Sequence, residues 1–314
     1  MPRYRVLLLE PIHESGMRKL AEHAELVLAD GLDEEALCRQ VRGVHALVVR
    51  AGGRITRRVL EAADSLRVIG RHGVGLDNID LEAARELGVA VVYTPLANAE
   101  SVAEHAVGMM LALAKRLREG DAALRRGEWG ARYSLTGREL LGKALGVVGM
   151  GRIGRRVAEI CSLAFSMEVM FHDVVEPQLP PGLRAIRVDL EELLSRADFV
   201  SLHVPLLPST YHMLGERELR LMPSTSCLVN TSRGGVVDQD ALAKALREGW
   251  IAGAALDVFE TEPLPPDSPL LELPNVLVTP HMASHTEESL RRMSEVVDDV
   301  LAVLEGRQPR FRAV

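Results

Sequence analysis

Short runs of apolar residues alternate with helical patterns along the first hundred residues. The runs are RVLLLE (5–10), ALVVR (46–50), RVIG (67–70) and VAVVY (89–93). Runs that are apolar at consecutive positions, and rich in valine, isoleucine and leucine, are typical of strands covered on both faces. This part of the chain is therefore predicted to form a parallel sheet flanked by helices.

A second series of the same kind follows. Its runs are ALGVVG (144–149), EVMFHD (168–173), DFVSLHV (198–204), SCLVN (226–230), IAGAALD (251–257) and NVLVTP (275–280). Two such series predict two α/β domains, each with a doubly wound parallel sheet. The sequence between them contains no repeat, low-complexity tract or disordered linker.

Helices are predicted at both junctions. SVAE at 101–104 has the form of a capping box, so we expect a helix to start at Ser101. Its residues up to Leu117 are apolar on more than one face, which predicts burial between domains or in a subunit contact. Apolar residues from Leu290 to Leu304 keep helical spacing until Gly306. This last helix is expected to return to the first domain, which would then be discontinuous.

The composition limits the classes of partner. Of 314 residues, 47% are hydrophobic and 26% charged, and 37 basic against 44 acidic residues give a net charge of -7. The charges form no long runs of one sign, so neither a nucleic-acid surface nor one for anionic membranes is indicated. The expected partner is a small molecule.

The cysteines and the apolar stretches indicate the cellular compartment of the protein. Cys38, Cys161 and Cys227 lie far apart and outside any CxxC motif, which is typical of a reducing compartment. No apolar stretch approaches the roughly 20 residues that a membrane span needs. The start, MPRYRVLLLEP, is interpreted as a first strand and not as a signal peptide. We therefore predict a cytoplasmic protein without a membrane partner.

The most specific local motif is KALGVVGMGRIGRRVAEI (143–160). A predicted strand leads directly into Gly149, Gly151 and Gly154 in GxGxxG spacing, and a helical pattern opens at once. Such glycines allow a tight turn and let a pyrophosphate approach the helix N-terminus. Asp173, at the end of the next strand, suits the ribose hydroxyls of NAD. Because valines follow Asp173, we expect no neighbouring Arg or Lys for the 2′-phosphate of NADP, and NAD is the predicted cofactor.

Three further segments follow strands of the second sheet: NTSRGGVVD (230–238), LDVFETEP (256–263) and TPHMASHT (279–286). Ligands of open α/β folds bind at the carboxyl ends of strands. These segments would supply one arginine, several carboxylates and one histidine to a single rim. That set suits a 2-hydroxy or 2-oxo acid, because arginine binds a carboxylate with two donors and histidine moves the hydroxyl proton.

At this point the sequence resembles the D-isomer-specific 2-hydroxyacid dehydrogenase family over nearly its whole length. The matching segments, in the family's order, are RHGVGLDNIDLEAARELGV (71–89), TPLANAESVAEHAV (94–107), GMGRIG (149–154), SLHVPLLPST (201–210), NTSRGGVVD, LDVFETEP and TPH (279–281). The resemblance implies a flavodoxin-like substrate domain, a Rossmann NAD-binding domain and an active site in the cleft between them. The expected bounds are 1–99 plus 286–314 for the substrate domain and 100–285 for the NAD-binding domain.

The resemblance also implies the roles of individual residues. Arg233 would bind and polarise the substrate, His281 would be the acid/base, and Glu262 would be its carboxylate partner. Glu260 competes for that last role, but the family's acid directly precedes a proline, here Pro263. The expected cofactor contacts are Gly149, Gly151, Arg152, Ile153, Gly154, Asp173, His203, Val204, Pro205, Thr210, Thr231, Asp257 and His281; Thr210 resembles a pyrophosphate contact and Asp257 a residue that holds the nicotinamide amide.

On the substrate side, family members use backbone N–H groups of the loop Gly73, Val74 and Gly75 to hold a carboxylate. With Arg233, the predicted substrate residues are Arg50, Arg71, His72 and these three. The basic side chains indicate a second anionic group on the substrate, although solvated loop charges explain them equally well. The resemblance is closest to short D-3-phosphoglycerate dehydrogenase-like members, and we expect no serine feedback through a C-terminal regulatory domain.

Alternatives remain open from the sequence. One is a glyoxylate or hydroxypyruvate reductase; another is an NAD-sensing, corepressor-like binding protein. His281 and His285 are four residues apart, but Pro280 and the lack of a third ligand argue against a metal site. His105 is interpreted as a buried histidine without a catalytic role, and Trp129 as a packing anchor near a subunit interface. A homodimer formed through the cofactor domain is predicted.

Overall fold

The computed structural model describes residues 4–314. The chain forms two compact units, the first comprising residues up to Asn98 together with His285–Val314, and the second Ala99–Ser284. Each unit contains one parallel sheet. The prediction of two parallel-sheet α/β folds in one chain is confirmed.

The N-terminal part of the first unit alternates strands and helices. In chain order they are β1 (Tyr4–Leu8), α1 (Glu14–Ala21), β2 (Ala24–Leu28), α2 (Glu34–Gln40), β3 (Ala46–Val49), α3 (Arg57–Ala62), β4 (Val68–Arg71), α4 (Leu81–Glu86) and β5 (Ala90–Tyr93).

The second unit continues the alternation. Its elements are α5 (Ala99–Ala114), α6 (Leu117–Arg125), β6 (Ala144–Val148), α7 (Arg152–Phe165), β7 (Glu168–His172), β8 (Ala185–Arg187), α8 (Leu190–Arg196), β9 (Phe199–Leu202), α9 (Glu216–Leu221), β10 (Cys227–Asn230), α10 (Gln239–Arg247), β11 (Gly253–Leu256) and β12 (Val276–Val278). Short 3-10 helices lie at Trp129–Tyr133, Gly234–Val236 and Pro269–Glu272. The chain then returns to the first unit with α11 (Glu287–Met293) and α12 (Val296–Leu304).

The sheet of the first unit has the order β2-β1-β3-β4-β5. Helix α12 covers β4 closely, since a Cβ at Gly70 would lie 2.4 Å from Cγ2 of Val300. A C-terminal segment pairs with β5 through an antiparallel bridge between Val92 and Arg312. Helices on both faces bury this sheet, which explains its continuous apolar runs.

The sheet of the second unit has the order β12-β11-β10-β9-β6-β7-β8. The strand order reverses between β6 and β9, which are hydrogen-bonded neighbours. In doubly wound sheets, ligands bind outside the carboxyl ends of the strands at such a reversal. The residues that follow β6 and β9, Gly149 and His203, therefore lie at the expected binding edge.

Helix α5 differs from its prediction at the N-terminus. It begins at Ala99, so Ser101 lies within the first turn and not at the cap, and its buried hydroxyl donates to the Ala283 carbonyl at 2.7 Å. Within the second unit, α5 packs on α7 and on β10, β11 and β12. These neighbours bury much of its apolar surface within the second unit.

The predicted last helix is divided in two. Helix α11 ends at Met293 and α12 begins at Val296, with Ser294 buried between them. The Ser294 hydroxyl accepts a hydrogen bond from the His13 N–H at 3.1 Å and contacts His72 at 3.1 Å. A polar side chain at this break thus has partners from two other segments of the unit. Among the helices of residues 4–314, none has the length and apolarity to cross a membrane.

Candidate active site

The glycine-rich turn after β6 has the geometry of an anion cradle. Gly149 has φ 93°, and a Cβ there would lie 2.7 Å from the His203 carbonyl oxygen. A Cβ at Gly154 would lie 2.0 Å from the Gly149 carbonyl oxygen, whereas one at Gly151 would meet no atom within 4 Å. Two of the glycines are therefore needed for the fold, while Gly151 leaves space above the N-terminus of α7. That space and the N–H groups of a first helical turn suit a pyrophosphate.

Asp173 lies beside this turn, directly after β7. Its Oδ2 accepts from the Met150 N–H at 2.7 Å and its Oδ1 from the Val175 N–H at 3.0 Å. Each carboxylate oxygen can accept a further bond, so ribose hydroxyls remain compatible with it. Valines follow Asp173 in the sequence, but in space a basic residue does approach it, because Arg187 of β8 donates to the Asp173 carbonyl at 2.6 Å. Arg187 also pairs with Glu176 at 2.5 Å, which offsets its charge.

The other predicted cofactor residues border the same edge. His203, Val204 and Pro205 follow β9, and burial lowers the pKa of His203 to about 3. The Thr210 hydroxyl closes its own loop by donating to the Pro205 carbonyl at 2.6 Å. Within the described residues, the buried Thr231 hydroxyl after β10 has no hydrogen-bond partner. A buried polar atom is normally hydrogen-bonded, and a bound dinucleotide would supply the partner.

Glu262 and His281 are in direct contact. Nδ1 of His281 lies 2.7 Å from Oε2 of Glu262, and Oε1 of Glu262 accepts from the Phe259 N–H at 3.0 Å. Burial of the Glu262 carboxyl alone would raise its pKa, but hydrogen bonds from His281 and Phe259 and the charges of His281 and Arg233 outweigh it and lower the pKa. Glu262 is therefore an ionised partner for the imidazole.

Glu260, the competing carboxylate, belongs to a separate network. Its Oε1 accepts from the Gln239 N–H at 2.7 Å and lies 3.1 Å from Nε2 of His212. His281 thus has Glu262 and not Glu260 as its carboxylate partner.

Arg233 is held by the segment that follows β10. The Asn230 side chain donates to the Arg233 carbonyl at 2.9 Å, and the guanidinium donates to the Ser232 carbonyl at 2.7 Å. The next residue, Gly234, packs directly on another backbone, since a Cβ there would lie 1.9 Å from the Phe259 carbonyl carbon. This contact brings the arginine segment against the segment that leads to Glu262.

Asp257 organises the loop that carries His281. It is 0% exposed, and its carboxylate accepts from the Thr279 hydroxyl at 2.5 Å and from the N–H groups of Met282 and Ala283 at 2.8 Å each. Its carbonyl accepts from the His281 N–H at 2.9 Å. His281 has φ 49°, a left-handed backbone conformation that is unfavourable for a residue other than glycine. The bonds to Asp257 hold it there.

In the first unit, Arg71 underlies the loop of Gly73, Val74 and Gly75. It donates to the Gly75 carbonyl at 2.7 Å and to the His72 carbonyl at 2.6 Å. Gly73 has φ 140°, and a Cβ there would lie 3.0 Å from the Arg71 guanidinium. The arginine therefore fixes the loop conformation and places positive charge beneath it.

Two other predicted substrate residues, Arg50 and His72, also have partners in the first unit. Arg50 donates to the Pro11 carbonyl at 2.7 Å. His72 is only 2% exposed, and burial, together with the charges of Arg50 and Arg71, lowers its pKa to about 3. Nearby, the Glu10 carboxylate accepts from the Gly52 N–H at 2.7 Å. Sequence reasoning assigned no role to Glu10, which follows an ordinary buried strand.

Comparison with known proteins identifies the family. Residues 107–283 match the model of the D-isomer specific 2-hydroxyacid dehydrogenase NAD binding domain, and these residues include both the glycine turn and the Glu262–His281 pair. The chain belongs to this dehydrogenase family. NAD is therefore the cofactor of the second unit, in agreement with the cradle geometry.

The chain is similar over nearly its whole length to several named proteins. A D-3-phosphoglycerate dehydrogenase of Methanocaldococcus jannaschii is 45% identical over 305 residues, which cover 96% of this chain and 58% of that protein. A glyoxylate reductase of Thermofilum pendens is 42% identical over 322 residues, covering 98% of this chain and 94% of that protein. The crystal structure of the TT0316 protein of Thermus thermophilus superposes with a TM-score of 0.93 at 41% identity, covering 99% of this chain and 100% of that one.

Among residues 4–314, no group of three or more His, Cys, Asp or Glu side chains is arranged to hold a metal ion. His285 contacts Arg50 at 3.4 Å in the first unit, and His281 contacts Glu262 in the second. The two histidines that sequence spacing offered as a metal pair thus have separate partners.

Proposed function

We propose that this protein transfers a hydride between the nicotinamide of NAD and C2 of a D-2-hydroxy or 2-oxo acid, with Arg233, Glu262 and His281 as catalytic residues. The observation that carries the proposal is the 2.7 Å contact between Nδ1 of His281 and an ionised Glu262. A carboxylate bound to one imidazole nitrogen fixes which nitrogen faces a ligand and stabilises the imidazolium.

The proton path follows from this contact. Because Nδ1 is bound to Glu262, Nε2 is the atom that meets the substrate. A bound NADH would supply the hydride for reduction at C2, and NAD+ would accept it in oxidation. In reduction, Nε2–H of His281 would protonate the substrate oxygen as it gains negative charge. In oxidation, the neutral imidazole would take the hydroxyl proton. Glu262 stays ionised in both directions and stabilises the charged imidazole.

Arg233 would stabilise the same oxygen and bind the substrate carboxylate. Guanidinium groups bind carboxylates through two parallel bonds and stabilise negative charge that develops on a carbonyl. The bonds from Asn230 and to Ser232 fix the backbone and one arm of the side chain. Donors that are already ordered need no rearrangement when charge develops.

The remaining predicted contacts are proposed for the cofactor. The open space at Gly151 and the unpartnered Thr231 hydroxyl support a dinucleotide along this edge. We assign the pyrophosphate to Gly149, Gly151, Arg152, Ile153, Gly154 and Thr210, the ribose to Asp173 and the nicotinamide amide to Asp257. His203, Val204, Pro205, Thr231 and His281 are proposed as further cofactor contacts.

For the substrate carboxylate we propose the loop of Gly73, Val74 and Gly75, with Arg71 beneath it. The substrate is then a short 2-oxo acid such as glyoxylate or hydroxypyruvate, in preference to one with a distal phosphate. Three observations support the short substrate: His72 is buried and uncharged, Arg50 is bound to the Pro11 carbonyl, and the Glu10 carboxylate adds negative charge nearby.

We also propose a cytoplasmic homodimer. The segment from α6 through Trp129–Tyr133 exposes large apolar side chains, with Trp129 68% and Tyr133 77% exposed. A hollow of about 310 Å³ beside it is lined by Ala123, Leu124, Trp129 and their neighbours. In a twofold dimer each copy offers both the protruding rings and the hollow. Light scattering should give twice the mass of one chain, and Trp129→Ser with Tyr133→Ser should shift the protein to monomer.

The activity is tested by NADH oxidation with glyoxylate, hydroxypyruvate and 3-phosphohydroxypyruvate. We expect the highest kcat/KM for one of the first two. A higher value for the phosphorylated acid would contradict the short substrate while leaving the reaction class intact. Tight NADH binding without turnover of any 2-oxo acid would contradict the enzyme and favour the corepressor-like alternative.

A further inference from the structure

The loop that carries His281 is held at both ends by helix α5. Ser101 and His105 lie four residues apart on this helix and therefore on the same face. The Ser101 hydroxyl donates to the Ala283 carbonyl at 2.7 Å, and Nε2 of His105 lies 3.1 Å from the Thr279 hydroxyl oxygen. Residues 279 and 283 flank His281, so α5 contacts the loop on either side of the proposed acid/base.

The direction of the bond from His105 follows from proton counting. The Thr279 hydroxyl has a single proton, which it donates to Asp257 Oδ1 at 2.5 Å. Towards His105, the hydroxyl oxygen must therefore accept. His105 consequently carries its proton on Nε2, which also lies 3.7 Å from Asp257 Oδ1. The chain of donors runs from His105 through Thr279 to Asp257.

This chain ends on a carboxylate that the loop depends on. A fully buried carboxylate is stable only if its oxygens are well supplied with hydrogen bonds. Three donors to Asp257 come from the loop itself, namely the Thr279 hydroxyl and the N–H groups of Met282 and Ala283. The donor from α5 orients that hydroxyl. Without it, the Thr279 proton has a choice of acceptors and the left-handed conformation of His281 loses part of its support.

We infer that His105 is a positioning residue for His281, acting through Thr279 and Asp257, with Ser101 fixing the other end of the loop. The inference rests on the proposed function, in which His281 moves the proton. His105 acts through its 3.1 Å contact with the Thr279 hydroxyl. This role requires no contact between His105 and the substrate or the cofactor. Its loss should therefore lower kcat while leaving NADH binding unchanged.

The test compares variants along the chain of donors, assayed with whichever of glyoxylate and hydroxypyruvate the wild type reduces faster. His105→Leu and Thr279→Val should each lower kcat by about 10- to 100-fold, the loss expected when a catalytic group is misplaced by about an ångström. His105→Gln, which retains an N–H donor, should restore most of the rate. Glu104→Gln, at the exposed neighbouring position on α5, is the matched control and should behave as the wild type.

The double variant separates a chain of donors from two independent defects. If His105 acts through Thr279, adding His105→Leu to Thr279→Val should lower kcat little further, because the connection is already broken. Losses that multiply would overturn the inference, as would an unchanged kcat in His105→Leu. If His105→Leu does not fold, Thr279→Val tests the inference on its own. A wild-type kcat in Thr279→Val would also overturn the positioning role of His105.

His281→Ala, assayed in parallel, keeps this inference distinct from the proposed function. Loss of turnover in His281→Ala with normal turnover in His105→Leu would overturn only the positioning role. Absence of turnover in the wild type would overturn the proposed function itself.

Discussion

Nδ1 of His281 lies 2.7 Å from Oε2 of Glu262, although the two residues are 19 positions apart in the chain and both lie beyond the ends of strands. The left-handed backbone of His281 and the buried carboxylate of Asp257 keep the imidazole at this contact. The contact also distinguishes Glu262 from Glu260, whose Oε1 is bound to the Gln239 N–H. Glu260 and Glu262, two positions apart in the sequence, thus have different hydrogen-bond partners.

The first prediction concerns these two carboxylates. Glu262→Gln removes the charge that stabilises the imidazolium and should lower kcat by about 100-fold or more, the range of general acid–base catalysis. Glu260→Gln is the matched control and should retain most of the activity. Steady-state rates, with NADH binding measured in parallel, check this prediction. Equal losses of kcat in both variants would contradict the assignment of Glu262 as the partner of His281.

The second prediction separates the glycines of the turn. Gly151→Ala meets no protein atom, so the fold should keep its Tm while NADH binding weakens, because the new methyl group occupies ligand space. Gly154→Ala places a Cβ 2.0 Å from the Gly149 carbonyl oxygen and should lower the Tm as well. Thermal unfolding and NADH titration check both. A Gly151→Ala variant that binds NADH normally would contradict the cradle.

A third prediction concerns acid stability. The pKa of His72 is lowered to about 3 in the fold, against about 6.5 when unfolded, so between these values only the unfolded chain binds the proton. Stability is therefore lost as the pH falls through this window, by about 1.4 kcal/mol per pH unit for one such group. His72→Gln should flatten the pH dependence of the unfolding free energy between about pH 6.5 and 4.5. Urea titrations across this range that show the wild-type slope in the variant would refute it.

A fourth prediction tests the substrate side. Glu10→Gln removes the negative charge at the Gly52 N–H and should raise kcat/KM for 3-phosphohydroxypyruvate relative to glyoxylate, by up to about tenfold, which corresponds to about 1.4 kcal/mol. Glu14→Gln, at an exposed position of α1 paired with Arg18, is the control and should leave the ratio unchanged. A ratio that does not move in Glu10→Gln would remove this carboxylate from the account of specificity.

The sequence predicts most of the fold because buried parallel strands have continuous apolar runs. The two missed strands are sheet edges: β2 is half exposed in AELVL, and β8 has only the three residues AIR. These two strands are covered less completely or are too short, and so lack the continuous apolar run that the edge strands β5 and β12 keep. The missing β8 also hid Arg187 at Asp173, since a contact across 14 residues of chain is not visible in local spacing.

In the candidate site, too, residues in distinctive local segments were predicted, whereas contacts between distant residues were missed. The segments beyond the strands indicated one arginine, several carboxylates and one histidine, and the family resemblance singled out Arg233, Glu262 and His281 among them. His105 looked like an ordinary buried histidine, since its partner Thr279 is 174 residues away. His72 looked like a loop cation, but whether a histidine carries charge depends on its burial, which only the packed structure provides.

The most direct test of the central claim is NADH oxidation with glyoxylate or hydroxypyruvate by the wild type beside His281→Ala. We predict that the variant binds NADH as the wild type does and loses most of its kcat, by about 100-fold or more, because the proton donor is gone. A variant that binds NADH normally and turns over at the wild-type rate would contradict the assignment of His281 as the proton carrier.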